Sequence, residues 1–138
     1  QIGLESLGVN KVSSIIKRRK RLIEQINSSF KKFRVLNGIE LLIKVNGELA
    51  YPYELLTEFD YVLASVHTGF TLGREANTSR VLKAIKNPLV KIIGHPTGRI
   101  IGSREEMEID WKSVFEACKQ YNKVFCSQQR LQCTERER

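Results

Sequence analysis

Three short apolar runs constrain the fold of this chain more than any other feature. FRVLNGIELLIKV (33–45), YVLASVH (61–67) and LVKIIGHP (89–96) are β-rich and nearly continuous in apolar residues. Segments of helical periodicity surround them. Residues 11–32 bring Val12, Ile15, Ile16, Leu22, Ile23 and Ile26 to one side, with Asn10 as N-cap and with Phe30 and Phe33 extending the stripe. Residues 75–86 turn Val81, Leu82 and Ile85 inward and stop at Asn87-Pro88. Residues 110–121 set Trp111, Val114, Phe115 and Cys118 on one face. Asn46-Gly47 marks a turn, Pro52 opens a short helix, Lys123–Ser127 reads as a weak fourth strand, and CTERER reads as a solvated tail. Strands alternating with helices imply a parallel sheet with crossover connections. Such strands are buried on both faces, which suits runs this apolar. The fold class is therefore α/β, as an open sheet or a piece of a barrel.

The length of 138 residues fits one domain over 1–138, with a basic helix at about 11–32, an α/β core at about 33–127 and a short polar tail at 128–138. The net charge of +8 is uneven: residues 1–36 hold nine Lys or Arg against two Glu. Its centre is KRRKR, with Lys17, Arg18, Arg19, Lys20 and Arg21 as candidate nucleic-acid contacts through phosphate. Five consecutive charges wrap around a helix, however, and no aromatic residue interleaves with them, so a solvated helix is the plainer reading. The three cysteines, Cys118, Cys126 and Cys133, are odd in number and lack C-x-x-C spacing. They predict reduced thiols in a cytoplasmic protein rather than a disulfide framework or a cysteine zinc site. No apolar run approaches a membrane span, and no signal-peptide core is present. The first residue is Gln1, so the true start is expected upstream.

The chain has two histidines, and both sit where a strand gives way to a loop. His67 ends YVLASVH and His95 ends LVKIIGH. Ligands collect at the C-terminal ends of parallel strands. Two neutral imidazoles at one sheet end make a metal site, and Glu40, in a third strand-like run, would complete a His-His-Glu set. Such donors suit zinc, manganese or iron rather than calcium; manganese or zinc comes first, with magnesium also admitted. Each residue has a plainer role: a histidine at a strand end is commonly structural, and a glutamate there can be a sheet-edge charge. In the loop GHPTGR (94–99), Arg99 is a candidate phosphate contact, with a surface arginine on a turn as its alternative. No nucleophile elbow, phosphate loop or dinucleotide fingerprint occurs.

FRVLNGIE (33–40), DYVLASVHTGF (60–70), the helix with Thr78, Arg80, Ala84 and Ile85, and NPLVKIIGHPTGR (87–99) follow one another in a specific order. From about Gly8 to Leu131 the chain resembles the PHP domain (polymerase and histidinol phosphatase) in its version from bacterial X-family DNA polymerases. The resemblance implies a distorted α/β barrel with metal ions at the strand C-terminal ends. It also implies phosphoester hydrolysis, including 3′–5′ exonuclease and phosphatase chemistry. Glu40 matches a metal-bridging carboxylate, and His67 and His95 match metal histidines. The family's opening H-x-H and D-H segments and its closing D-x-H ligands are absent from this sequence. Phe125-Cys126-Ser127 stands where relatives carry E-I-N, and Gln132 ends the usual R-L-D; Leu42 and Ala50 replace common acidic residues. One copy therefore carries over three ligands, which predicts a partial domain that is weakly active or inactive alone.

Two further readings stand beside a hydrolase fragment. One is a non-catalytic nucleic-acid-binding or scaffold remnant, and the other a structural remnant without activity. Half a barrel leaves open sheet edges, so self-association or a partner supplying the missing strands is expected. DNA or another phosphoester is the expected substrate, and no membrane partner is expected.

Overall fold

The computed structural model describes residues 9–126 and 130–131. Its centre is a parallel sheet of four strands: β1 (Gly38–Leu42), β2 (Tyr61–Ser65), β3 (Val90–Gly94) and β5 (Val124–Cys126), paired in the order β1-β2-β3-β5. Helix α1 (Val9–Ser29) precedes β1, and α2 (Tyr53–Leu56), α3 (Arg74–Lys86) and α4 (Trp111–Gln120) occupy the connections, as the alternating pattern predicts. A two-residue strand β4 (Ile100–Ile101) pairs in parallel with β6 (Arg130–Leu131), two pieces too short to show a period in the sequence. Arg130 and Leu131 are thus not part of a free tail, while the CTERER segment and Cys133 lie outside the described residues. No helix among the described residues is long and apolar enough to cross a membrane.

Side chains alternate across the sheet, and the two faces meet different surroundings. Leu41, Val62, Ala64 and Ile93 turn to the core, joined by Ile43 and Val66 from just beyond their strands. There they meet Val81, Ala84 and Ile85 of α3 and Val114, Ala117 and Cys118 of α4. A fully buried aliphatic side chain of this kind contributes roughly 1.5–3 kcal/mol. The opposite face carries Glu40, Leu63, Ser65, Ile92, Gly94 and Val124. Glu40 and Val124 are exposed there, and Leu63 and Ile92 only half-buried. Burial on both faces, expected from the apolar runs, therefore holds fully for the helix-covered face alone.

The helices start and stop for local reasons. Asn87-Pro88 ends α3, whose last turn holds Lys83 and Lys86 against the negative end of its dipole. Asp110 caps α4, accepting from the Ser113 backbone N–H at 3.4 Å and its hydroxyl at 2.7 Å. Pro52 precedes α2 as expected. In α1 the prediction is only partly met. The helix ends at Ser29, and Asn10 lies inside it rather than capping it. Val12 and Ile16 are buried against Leu55, with Tyr51 and Phe59 packed alongside. Ile15, Leu22 and Ile26 are exposed, because the apolar cluster that α1 joins includes only Val12 and Ile16 of its residues. Phe30 and Phe33 lie beyond the helix, also exposed. Phe115, placed inward by periodicity, is 55% exposed and packs edge-on against Phe125 at 5.2 Å. The predicted strand over 33–45 shortens to Gly38–Leu42, and residues past it turn back at Asn46-Gly47, with Lys44 N–H donating to Glu48 O at 2.8 Å.

Candidate metal centre

Glu40, His67 and His95 converge although 27 to 55 residues separate them along the chain. Glu40 projects from the open face of β1, His67 stands two residues beyond β2, and His95 follows β3 directly. Glu40 Oε1 lies 3.2 Å from His67 Nε2 and 3.2 Å from His95 Nε2, and the two Nε2 atoms are 3.3 Å apart. The rings are stacked, with centroids 5.2 Å apart. One carboxylate oxygen here faces two imidazole nitrogens, each able to donate a proton or present a lone pair. Zinc–nitrogen distances of about 2.0–2.1 Å place neighbouring donors of a tetrahedral shell about 3.3–3.4 Å apart. The triangle has that edge length, so a single divalent cation can touch all three atoms. All three side chains keep solvent access, at 39% for Glu40, 30% for His67 and 28% for His95, leaving room for further ligands.

Burial alone would push the Glu40 carboxyl up. The neighbouring Ser65 hydroxyl and the His95 and His67 imidazoles outweigh that and hold it below its ordinary value. Ser65 itself is fully buried, and its Oγ closes no hydrogen bond of standard geometry among the described residues. It is a polar atom aimed at the cluster with capacity to spare, and such second partners orient metal ligands.

The backbone at this rim is held in an uncommon conformation. His95 has φ +29°, outside the usual region for a side-chain-bearing residue. Its N–H donates to Cys126 O at 2.8 Å and its carbonyl accepts from Gly98 N–H at 2.9 Å, which fix the turn. The preceding Gly94 is required by close approach, since a methyl group there would collide with Ser65 Oγ and Leu63 Cδ2. Gly94→Ala is expected to lower stability by about 1–3 kcal/mol, read from urea denaturation. An unchanged midpoint would show that the rim yields freely.

Two arginines that periodicity did not single out hold the loops behind the histidines. Arg80 of α3 is 1% exposed. It donates to Thr68 O at 2.8 Å and Gly69 O at 2.9 Å, directly after His67, and to Asn77 Oδ1. Arg104 donates to Gly98 O at 2.6 Å and lies over the Phe70 ring, 3.6 Å from its centroid, tying the loop after His95 to the loop after His67. Arg99 is exposed in the same loop and makes none of the contacts that assemble the three ligands. Among the basic run, all five residues are exposed. Arg19 donates to Gly38 O at 2.9 Å and lies over Phe59, and Lys20 pairs with Glu58 at 3.0 Å, so both tie α1 to the body. Cys118 and Cys126 are free thiols, the first buried and the second exposed.

No family model matches the chain. It is 37% identical over 107 residues to the DNA polymerase/3'-5' exonuclease PolX of Bacillus subtilis, a match covering 78% of this chain and 19% of that protein. A probable phosphatase of Caldanaerobacter subterraneus subsp. tengcongensis is 37% identical over 93 residues, covering 64% of this chain and 34% of the relative. A probable phosphatase of Clostridium acetobutylicum is 30% identical over 114 residues, covering 62% and 47%. The chain thus spans less than half the length of each of these relatives. PolX carries a PHP domain, and the parallel α/β sheet is compatible with part of such a domain. Motif order, fold and relatives together make the chain a homologue of PHP-domain phosphoesterases that corresponds to part of them.

Proposed function

We infer that the chain forms part of a metal-dependent phosphoesterase site, with Glu40, His67 and His95 as the metal ligands. The observation that carries this reading is the triangle of three donor atoms with edges of 3.2–3.3 Å. A bound zinc or manganese ion would supply Lewis acidity toward a phosphoryl oxygen and lower the pKa of a water molecule. In this reading the protein's own groups do the positioning. Glu40 contributes a carboxylate held ionised by its neighbours. The two imidazoles supply nitrogen donors from loops braced by Arg80 and Arg104. Arg99, free to extend into solvent, serves as a bidentate contact for a substrate phosphate. PolX is named as a 3'-5' exonuclease and other relatives as probable phosphatases, which supports DNA ends or small phosphomonoesters as substrates. Because three ligands make an incomplete multi-metal set, activity of the isolated chain is low and rises when the rest of the domain is supplied. A cytoplasmic location fits this chemistry and the free thiols.

The test is hydrolysis of p-nitrophenyl phosphate and of a single-stranded oligonucleotide with manganese or zinc, before and after chelation. Turnover that requires the added ion and disappears in Glu40→Gln is the expected result. Hydrolysis unaffected by chelation would overturn the assignment.

A further inference from the structure

A second, separate feature lies at the far end of α1. Residues 17–34 contain eight Lys or Arg and one Glu, so they carry +7 of the chain's +8. KRRKR lacks interleaved aromatics, but the segment Phe30-Lys31-Lys32-Phe33-Arg34 has them. Phe30 is 49% and Phe33 53% exposed, and Lys31, Lys32 and Arg34 are exposed too. The two rings lie against each other with centroids 4.4 Å apart. The loop that presents them is pinned at its base. Asn27 Nδ2 donates to Val35 O at 2.9 Å, and Val35 N–H donates to Asn27 Oδ1 at 2.7 Å. Asn27 and the five residues of the tip line one hollow in the surface.

An exposed aromatic pair is unfavourable in water unless something covers it, and the charge around it selects what can. A protein partner binding there would have to neutralise Lys31, Lys32 and Arg34 around an aromatic centre. A single nucleic-acid strand supplies both requirements at once, with phosphates for the cations and bases with π-faces for the rings. A duplex supplies the phosphates but keeps its bases stacked inside. The Phe30–Phe33 rings are already in contact, so a base stacks on an outer ring face rather than between them. Lys17, Arg18 and Arg21, exposed on the same helix and not tying it to the body as Arg19 and Lys20 do, add further cations.

We propose that the loop Phe30–Arg34, with Lys17, Arg18 and Arg21, is a binding platform for single-stranded nucleic acid. The platform does not rest on the metal centre, and its test does not use catalysis. Fluorescence anisotropy of a labelled oligothymidylate with the full chain, in chelator and across a salt series, measures it. The double variant Phe30→Ala/Phe33→Ala is expected to bind on the order of tenfold more weakly, as loss of base stacking requires. Phe30→Tyr/Phe33→Tyr, which keeps the rings, is expected to bind as the unmodified chain does. Lys31→Gln/Lys32→Gln is expected to flatten the log–log salt dependence by roughly 0.7 per charge removed. Both rings are exposed, so unchanged circular dichroism should accompany each variant. Alanine variants that bind with undiminished affinity would overturn the proposal. So would equal affinity for polyphosphate, a polyanion without bases. A dimer that becomes a monomer on removing the rings would also overturn it, by making the pair a contact between copies of the chain.

Discussion

His95→Asn is expected to reduce zinc or manganese affinity by more than the roughly 10–100-fold that follows loss of a metal site's outer partners. The reason is geometric. Three donor atoms form a closed triangle, and removing one leaves a two-point contact open to water. Asparagine is the informative substitution because it tolerates positive φ better than most residues. It keeps the turn at φ +29° while taking away the imidazole, so the loss belongs to the ligand and not to backbone strain. Isothermal titration of the two proteins at neutral pH reads the difference, and equal stoichiometry and affinity would remove His95 from the site. Acidification should release the ion as well. The folded-state value of Glu40 lies below its ordinary one. Its ionised form is therefore complete above the ordinary carboxyl range and fades only as pH falls through the lowered value.

Arg80→Met is expected to destabilise the fold by about 3 kcal/mol, seen as a lower urea midpoint. Methionine fills much of the same volume, so packing is not the main loss. The guanidinium donates to Thr68 O, Gly69 O and Asn77 Oδ1 from a side chain that is 1% exposed. A buried acceptor left without its donor, as Asn77 Oδ1 would be, carries a penalty of roughly 1–3 kcal/mol, and the part-buried Thr68 and Gly69 carbonyls add less. Burial also lowers the pKa of this arginine, yet a guanidinium stays charged throughout the working range. Because two of the three acceptors follow His67 directly, the substitution should weaken metal binding in addition to stability. Stability lost with metal affinity intact would show that the loop after His67 holds its shape without Arg80.

The apolar runs and the helical patterns between them were enough to read a parallel α/β sheet, though not its strand order. Each of the three apolar runs became a strand, and each histidine fell within two residues of a strand end, where parallel sheets gather ligands. Glu40 was legible as a carboxylate in a strand-like run and as a match to the family's bridging carboxylate; the fold puts it on the face that the helices leave open. What the sequence hid was tertiary. Arg80 sits in a helix of ordinary polarity, and only the loop folded over it makes it a buried donor. Ile15, Leu22 and Ile26 repeat at helical spacing, but spacing does not say whether anything packs against them. Likewise Phe115 shares a face with Val114 and Cys118 by period alone, yet lies over the edge of the core. Strands of two residues, such as Ile100–Ile101, have no period to read.

The convergence of Glu40, His67 and His95 has a consequence for the whole molecule. No two of the three are closer than 27 residues in the chain, so the extended polypeptide has no such trio to offer. An ion captured there is a rivet joining three neighbouring strands, through the middle of one and the ends of two, and its binding energy adds to the cohesion of the sheet by mass action. Scarcity or plenty of the ion would then tune how tightly this piece of protein holds its shape, whether or not it ever cuts a phosphoester.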